Sequence, residues 1–363
     1  MRPQHHSSHL TIKRYEAQEW SLVKGLHERS YQGDLERRMK AFRWITEHNP
    51  FGHNINCIML FKDGELIGYS GMMPMRFYFD GEPFTAIFTQ ETLINPLFRG
   101  QGFTAAFVKE ERDLNSFLVS FWHNEKIVNM RLKAGWMNIG YFRPLKKIFK
   151  IDNLFRLKVR KWSTNKVVED ILLALARRYY RLRKAENYKR EQYDVETIGR
   201  FDSEYDEFFL NVVKKFRVIF DRSSQTLNWK YIDIPHRRFH ALCARKNHRI
   251  VGYIILAIEE QEYNIKKGII ADLLIDPDEV DALICLSGMS EQFFVEKGVD
   301  FSICLVPLPI SRSVMMGQGY FQAKQMECDS LLIYNEKVSP NPGIVKDINN
   351  WYFTYGDSDF MMW

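Results

Sequence analysis

Two stretches of this chain carry the same landmarks in the same order, and a repeat of that kind limits the fold more than any single motif does. Trp44 is followed six residues later by Pro50 in FRWITEHNP, and Trp229 six residues later by Pro235 in LNWKYIDIP. KDGELIGY at 62–69 is answered by KNHRIVGY at 246–253, Leu93-Ile94-Asn95-Pro96 by Leu274-Ile275-Asp276-Pro277, and Gly135-Trp136 by Gly319-Tyr320. The spacings between successive landmarks, 18, 31 and 39 residues in the first copy and 17, 28 and 42 in the second, stay close. The expectation is an α/β (α+β) chain of two tandem units, each a mixed, mostly antiparallel sheet flanked by helices. The units are placed at 1–153 and 193–363, with a basic helical connector at 154–192.

Local patterns fill in the first unit. Asp63-Gly64 and Asp80-Gly81 interrupt alternating apolar runs and predict two hairpins. Residues 103–116 have apolar positions at helical spacing and precede a short strand, FLVSFW, while 125–134 read as a helix stopped by Gly135. In the connector, Val168, Ile171, Leu172, Leu175, Tyr179 and Leu182 form one stripe, which predicts packing between the units.

At 363 residues, 45% of them hydrophobic, with 27 Phe and 17 Tyr, the chain can bury two cores. The longest apolar run, 250–258, is too short to span a bilayer, so no membrane span is expected. MRPQHHSSHL lacks the pattern of a secretory signal, which gives a cytoplasmic expectation. Cys57, Cys243, Cys285, Cys304 and Cys328 show no metal-ligand or disulfide spacing, so they read as buried thiols and no metal is expected. The net charge is +6, and 156–190 holds twelve Lys or Arg against three acids. Nucleic acid or a membrane surface could use such a segment, but a solvated helix face is the preferred reading, and no nucleic acid is expected.

The segment TLINPLFRGQGFTAAF orders strand, glycine turn and helix, an arrangement that aims free backbone N–H groups and a positive helix end at a phosphate. A Rossmann loop uses the same logic but needs a third glycine or alanine at the sixth position from Gly100, which Ala105 fills only loosely, and a parallel β-α-β unit where this chain has antiparallel hairpins. A plain structural turn is the other competing reading.

These residues resemble the acetyl-CoA signature of the GNAT N-acetyltransferase superfamily: Arg99-Gly100-Gln101-Gly102-Phe103-Thr104, with Thr104 departing from the usual glycine or alanine. HNEKIVNMRLKAGW is similar to the second signature, with Asn129 and the pair Gly135-Trp136. The resemblance implies that 99–104 hold the pyrophosphate of acetyl-CoA, the acyl donor, that Asn129 belongs to the coenzyme site, and that backbone groups of Leu93 and Ile94 pair with the pantetheine arm. It further implies that Leu93 or Ile94 polarises the thioester.

Glu91, on the same strand, is the candidate base, unless a bulge turns it away. The family's tyrosine acid falls at Arg131, which donates a proton poorly, so Tyr141, His123 or solvent is the candidate acid. The second unit has Asp278-Glu279-Val280-Asp281 in place of the glycines, and is expected to have lost coenzyme binding.

The aromatic stretch NNWYFTYGDSDFMMW at 349–363 is expected to pack on its own protein, with acceptor recognition second. That stretch and 44–50 also look like tandem GNAT proteins of bacterial surface-polysaccharide synthesis, which implies an amine acceptor, such as a nucleotide-linked amino sugar, and a homodimer is compatible. Two other classes compete: a non-catalytic acyl-CoA-binding regulatory protein, and a Fem-like aminoacyl transferase.

Overall fold

In the computed structural model, which describes residues 9–52, 57–114, 116–121, 124–150, 192–324 and 329–363, both Asp-Gly turns place their two central residues at positive φ. Asp63 and Gly64 lie at 50° and 84°, and Asp80 and Gly81 at 48° and 88°. That geometry matches the twist of the flanking strands and closes two tight hairpins. They join β2 (Cys57–Lys62), β3 (Glu65–Phe79) and β4 (Glu82–Ile94), with β1 (Leu10–Arg14) on the outer edge. Helices α1 (Trp20–Ser30) and α2 (Leu35–Glu47) bury Val23, Leu26, Met39 and Phe42 with Met59 and Tyr69 of this sheet. The Asp34 side chain caps α2 through the Arg37 amide.

After β4 come α3 (Thr104–Asp113), β5 (Leu118–Phe121), α4 (Glu125–Lys133), β6 (Met137–Tyr141) and β7 (Leu145–Ile148). The second half runs β8 (Asp194–Ile198), α5 (Ser203–Val212), β9 (Val218–Phe220), α6 (Ser224–Leu227), β10 (His240–Lys246), β11 (Arg249–Gln261), β12 (Ile265–Ile275) and α7 (Ala282–Glu296). It continues with β13 (Phe301–Cys304), α8 (Pro309–Gly317), β14 (Phe321–Gln322), β15 (Ser330–Tyr334) and β16 (Trp351–Tyr352). The mixed, largely antiparallel sheets expected from the repeat are both present. The connector stripe, with its basic residues, lies outside the described residues.

The two sheets exchange strands. β15 lies between β5 and β6 of the first sheet, and β7 lies between β13 and β14 of the second. β9 also joins the far end of β3, and β16 joins β9. Trp44 and Trp229, the first landmarks of the repeat, meet directly: the Trp44 indole N–H donates to the Trp229 carbonyl at 3.1 Å.

One aromatic core therefore serves both halves. Phe77 lies 3.9 Å, ring to ring, from Phe220, and Phe353 stacks on Phe142 at 4.8 Å and lies 4.9 Å from Phe121. Phe353 has no exposed surface. Truncation there opens a cavity bounded by strands of both halves, so Phe353→Ala is expected to cost about 3–5 kcal/mol. Urea unfolding checks this: a single transition shifted to lower urea is expected, and a loss under 1 kcal/mol would contradict the shared core.

Candidate active site

The site begins where two parallel strands separate. β4 and β5 pair at Ile87 with Leu118 and at Phe88 with Val119, and no further pairing follows among the described residues. A bulge sits at the same place, since the β3–β4 register slips between Ser70 and Met72, leaving Gln90 and Glu91 opposite Gly71 alone. Among the described residues, 90–94 thus keep one strand edge unpaired with β5, the edge on which Leu93 and Ile94 are expected to act.

The glycine turn forms a cradle at the end of that edge. Gly100 and Gly102 adopt φ of 79° and 83°, and open space surrounds the position of a Cβ at either, so the backbone conformation is what selects glycine. The amides of residues 100–104 have no hydrogen-bond partner among the described residues, and 99–102 are exposed. Arg99 turns its Nε to the Ile94 carbonyl at 3.0 Å, which ties the turn to β4. Phe103 and Thr104 open α3. Beside the cradle, α3 and α4 border a groove of about 630 Å³ whose walls carry Lys109, Arg112, Lys126, Asn129 and Lys133 over Ala105, Val108, Met130 and Ala134. Asn129 faces this groove from the middle of α4, and Asn124 is the residue that caps the helix, accepting from the Ile127 amide at 3.0 Å. The signal was local: an Asn-Glu pair ahead of an apolar run is a helix start.

Between the diverging strands lies a cleft of about 190 Å³, lined by Thr89, Gln90, Glu91, Thr92, Phe121, Asn124, Ile127, Arg131 and Asp359. Glu91 reaches it despite the bulge. Its carboxylate is ion-paired with Arg38 of α2 and accepts from the Tyr69 hydroxyl at 2.7 Å. Arg38 is held in turn between the rings of Tyr31 at 4.6 Å and Trp363 at 4.5 Å. Behind Tyr69 is His27, fully buried, its Nε2 3.0 Å from the tyrosine oxygen. The tyrosine proton is committed to Glu91, so His27 Nε2–H donates to Tyr69. Burial and the nearby Arg38 push the His27 pKa down to about 4, which leaves the ring neutral at pH 7.

Arg131 fills the far wall and is 3% exposed. It pairs with buried Glu111 at 3.6 Å, donates to the Ser120 hydroxyl and stacks over Trp136 at 4.5 Å. Burial raises the Glu111 pKa, against the opposing pull of Arg131 and of the Ser70 hydroxyl 3.0 Å away. Arg131 Nε and Gln90 Nε2 are buried without a hydrogen-bond partner among the described residues. Orphaned buried donors are costly, and both belong to residues that line this cleft.

Tyr141 is not joined to this cleft. It is exposed, accepts a hydrogen bond from Asn138 at 3.2 Å and lines a separate cavity with Arg143, Arg312 and Trp351. His123 lies outside the described residues. Three residues not picked out from the sequence do belong to the cleft or its support: Arg38, Tyr69 and Asp359. For Tyr69 the repeat carried a signal, because the matching landmark ends in Tyr253.

In the second half the loop after β12 is tied up internally. Lys215 bonds Asp276 and Asp278 at 2.5 and 2.6 Å, and Lys246 and Tyr193 bond Glu279 at 2.8 and 3.0 Å. It offers carboxylates where the first half offers amides.

No protein-family model matches the sequence, and no curated protein does. Solved structures do match in three dimensions. A GCN5-related N-acetyltransferase from Anabaena variabilis ATCC 29413 superposes with a TM-score of 0.59 at 12% identity, over 93% of this chain and 75% of that one. N-myristoyltransferase from Saccharomyces cerevisiae with bound myristoyl-CoA gives 0.58 at 11%, over 90% and 82%. A probable N-acyltransferase from Enterococcus faecalis V583 gives 0.58 at 11%, over 90% and 72%. The fold is that of the GCN5-related N-acyltransferases.

The His27 shift makes a stability prediction. A histidine whose pKa falls from 6.5 to about 4 on folding stabilises fully above pH 6.5, and that contribution is lost as the pH drops through 4. It amounts to on the order of 3 kcal/mol. Urea unfolding at pH 7, 5.5 and 4 should show a shallower pH slope in His27→Gln than in the wild type, and parallel slopes would contradict the assignment.

Proposed function

We propose that the chain is an acyl-CoA-dependent N-acyltransferase, with acetyl-CoA as donor and a small amine, such as a nucleotide-linked amino sugar, as acceptor. The observation that carries this reading is the succession along one stretch of chain of the free edge of β4, which borders a cleft that contains carboxylates, and the unpaired amides of residues 100–104. Amides at a helix start favour an anion, and the cationic groove beside them favours the rest of a phosphorylated coenzyme. An extended arm can pair with residues 90–94 as an added strand, with a backbone N–H near Leu93 or Ile94 polarising the thioester carbonyl.

Glu91 is anchored by Arg38 and Tyr69, so it serves best as a fixed hydrogen-bond acceptor that orients the neutral acceptor amine in the cleft. Arg131 stands where a tyrosine acid is usual. Its charge stabilises the departing thiolate without giving up a proton, and solvent supplies the proton.

The cleft's composition argues for a short acyl group. Only Phe121 and Ile127 among its lining side chains are apolar. Each buried methylene gains about 0.8 kcal/mol in apolar surroundings. A long chain here would instead desolvate Thr89, Gln90, Asn124 and Asp359. An acyl-CoA-binding regulatory role is the second reading, favoured by the ion pair that neutralises Glu91.

Calorimetric titration with acetyl-CoA tests the reading. Saturable binding is expected, weakened at least tenfold in Gly102→Asp, where φ of 83° strains any side chain and the carboxylate repels phosphate. Thiol release with amino-sugar nucleotides should be faster with acetyl-CoA than with octanoyl-CoA. No binding by the wild type would overturn both readings, and binding without turnover of any amine would leave the regulatory one.

A further inference from the structure

The landmark repeat extends to the bonding of the site itself. Tyr69 pairs across the sheet with Leu93, and Tyr253 pairs with Leu274 in the same register. Two residues before each leucine stands a carboxylate, Glu91 in the first half and Asp272 in the second. Each has a bulge beside it and takes a tyrosine hydroxyl, Tyr69 at 2.7 Å and Tyr253 at 3.5 Å. Each is paired with an arginine, Arg38 six residues before Trp44 and Arg222 seven before Trp229. The chain therefore holds two copies of one arginine–tyrosine–carboxylate arrangement.

The first copy opens on the cleft, and the second is sealed by segment 351–363. Asp272 and Arg222 are 2% and 1% exposed. Thr354 Oγ1 donates to Asp272 at 3.0 Å, Arg222 donates to Asp357 at 2.8 Å and to Asp272 at 3.2 Å, and Lys230 donates to the Gly356 carbonyl at 2.8 Å. Tyr352 donates to the Leu273 carbonyl at 2.6 Å. A Cβ on Gly356 would meet the Tyr231 oxygen at 1.9 Å, so the segment fits without slack. A buried guanidinium between two carboxylates resists displacement, because removing any member leaves an uncompensated charge. Two residues beyond Asp357 the same segment delivers Asp359 into the open cleft beside Glu91.

We propose that Asp359 is the general base for the acceptor amine, and that Arg222, buried in the sealed copy, is the residue that positions it. The proposal rests on the acyltransfer reading above. As the amine nitrogen attacks the thioester carbon, Asp359 accepts its proton; the C–N bond forms, the C–S bond breaks, and the thiolate leaves with a proton from solvent. Glu91 is committed to Arg38 and Tyr69, whereas burial raises the Asp359 pKa to about 7, so this carboxylate can both take and release a proton near neutrality. The charged groups that face it are Arg131 from α4 and Arg38 from α2, with Glu91 of β4 across the cleft; both arginines lower its pKa, as does the uncharged Trp363 of its own segment.

Three variants, Asp359→Asn, Arg222→Lys and Asp357→Asn, are to be compared with the wild type in acetyl-CoA affinity, in kcat against pH, and in the Asp359 carboxyl titration followed by carbon-13 NMR. Asp359→Asn should bind acetyl-CoA as tightly as the wild type and lose at least a hundredfold in kcat, together with the acid limb near pH 7. In Arg222→Lys or Asp357→Asn, whichever folds, a loosened segment exposes Asp359; its titration and the acid limb should both move below pH 6, with kcat down about tenfold. A merely structural role for Arg222 would lower the melting temperature and leave the limb in place, which overturns the positioning claim. Near-normal kcat in Asp359→Asn, with acetyl-CoA binding intact, overturns the base and leaves the acyltransferase reading standing. Failure of the wild type to bind acetyl-CoA removes both.

Discussion

The divergence of β4 from β5 after Phe88 is the constraint on which the rest of the site depends. Two parallel strands that stayed paired would satisfy each other's backbone and leave nothing for a ligand. The bulge at residues 90 and 91 bends β4 away, and the parting creates the free edge, the cleft and the approach to the glycine cradle together. The cost is borne by what surrounds the gap. α4 closes one side with Arg131, Glu111 neutralises that arginine from α3, and segment 351–363 closes the bottom.

That segment ties the halves together more closely than a linker could. β15 and β7 each complete the other half's sheet, β16 extends the first sheet through β9, and the aromatic core runs across without a boundary. The two copies of the repeat have then diverged in use. One keeps glycines and an open carboxylate; the other has an acidic loop held by Lys215 and Lys246, and a carboxylate buried under Thr354 and Asp357.

What was legible in the sequence was local in origin. Asp-Gly pairs dictate hairpins by backbone conformation alone, and Gly100 and Gly102 announce a cradle for the same reason. Glu91 could be placed on its strand because it stands two residues before Leu93, in the stretch that resembles a coenzyme-binding strand. Arg38 and Asp359 were not legible, since each reaches the cleft from a distant element through packing that leaves no periodic trace. Nor was the strand exchange, because nothing in the short segments Leu145–Ile148 and Ser330–Tyr334 selects one sheet over the other. The helix-start signal in HNEKIVNMRLKAGW belongs to Asn124, whose side chain caps α4, and Asn129 lies a turn further along.

Amide hydrogen exchange with and without acetyl-CoA tests the central claim most directly. The account predicts that the coenzyme slows exchange at residues 100–104 and along 90–94, with the loop at 276–281 unchanged. Protection confined to the second half, or no protection in the cradle at saturating acetyl-CoA, would contradict it.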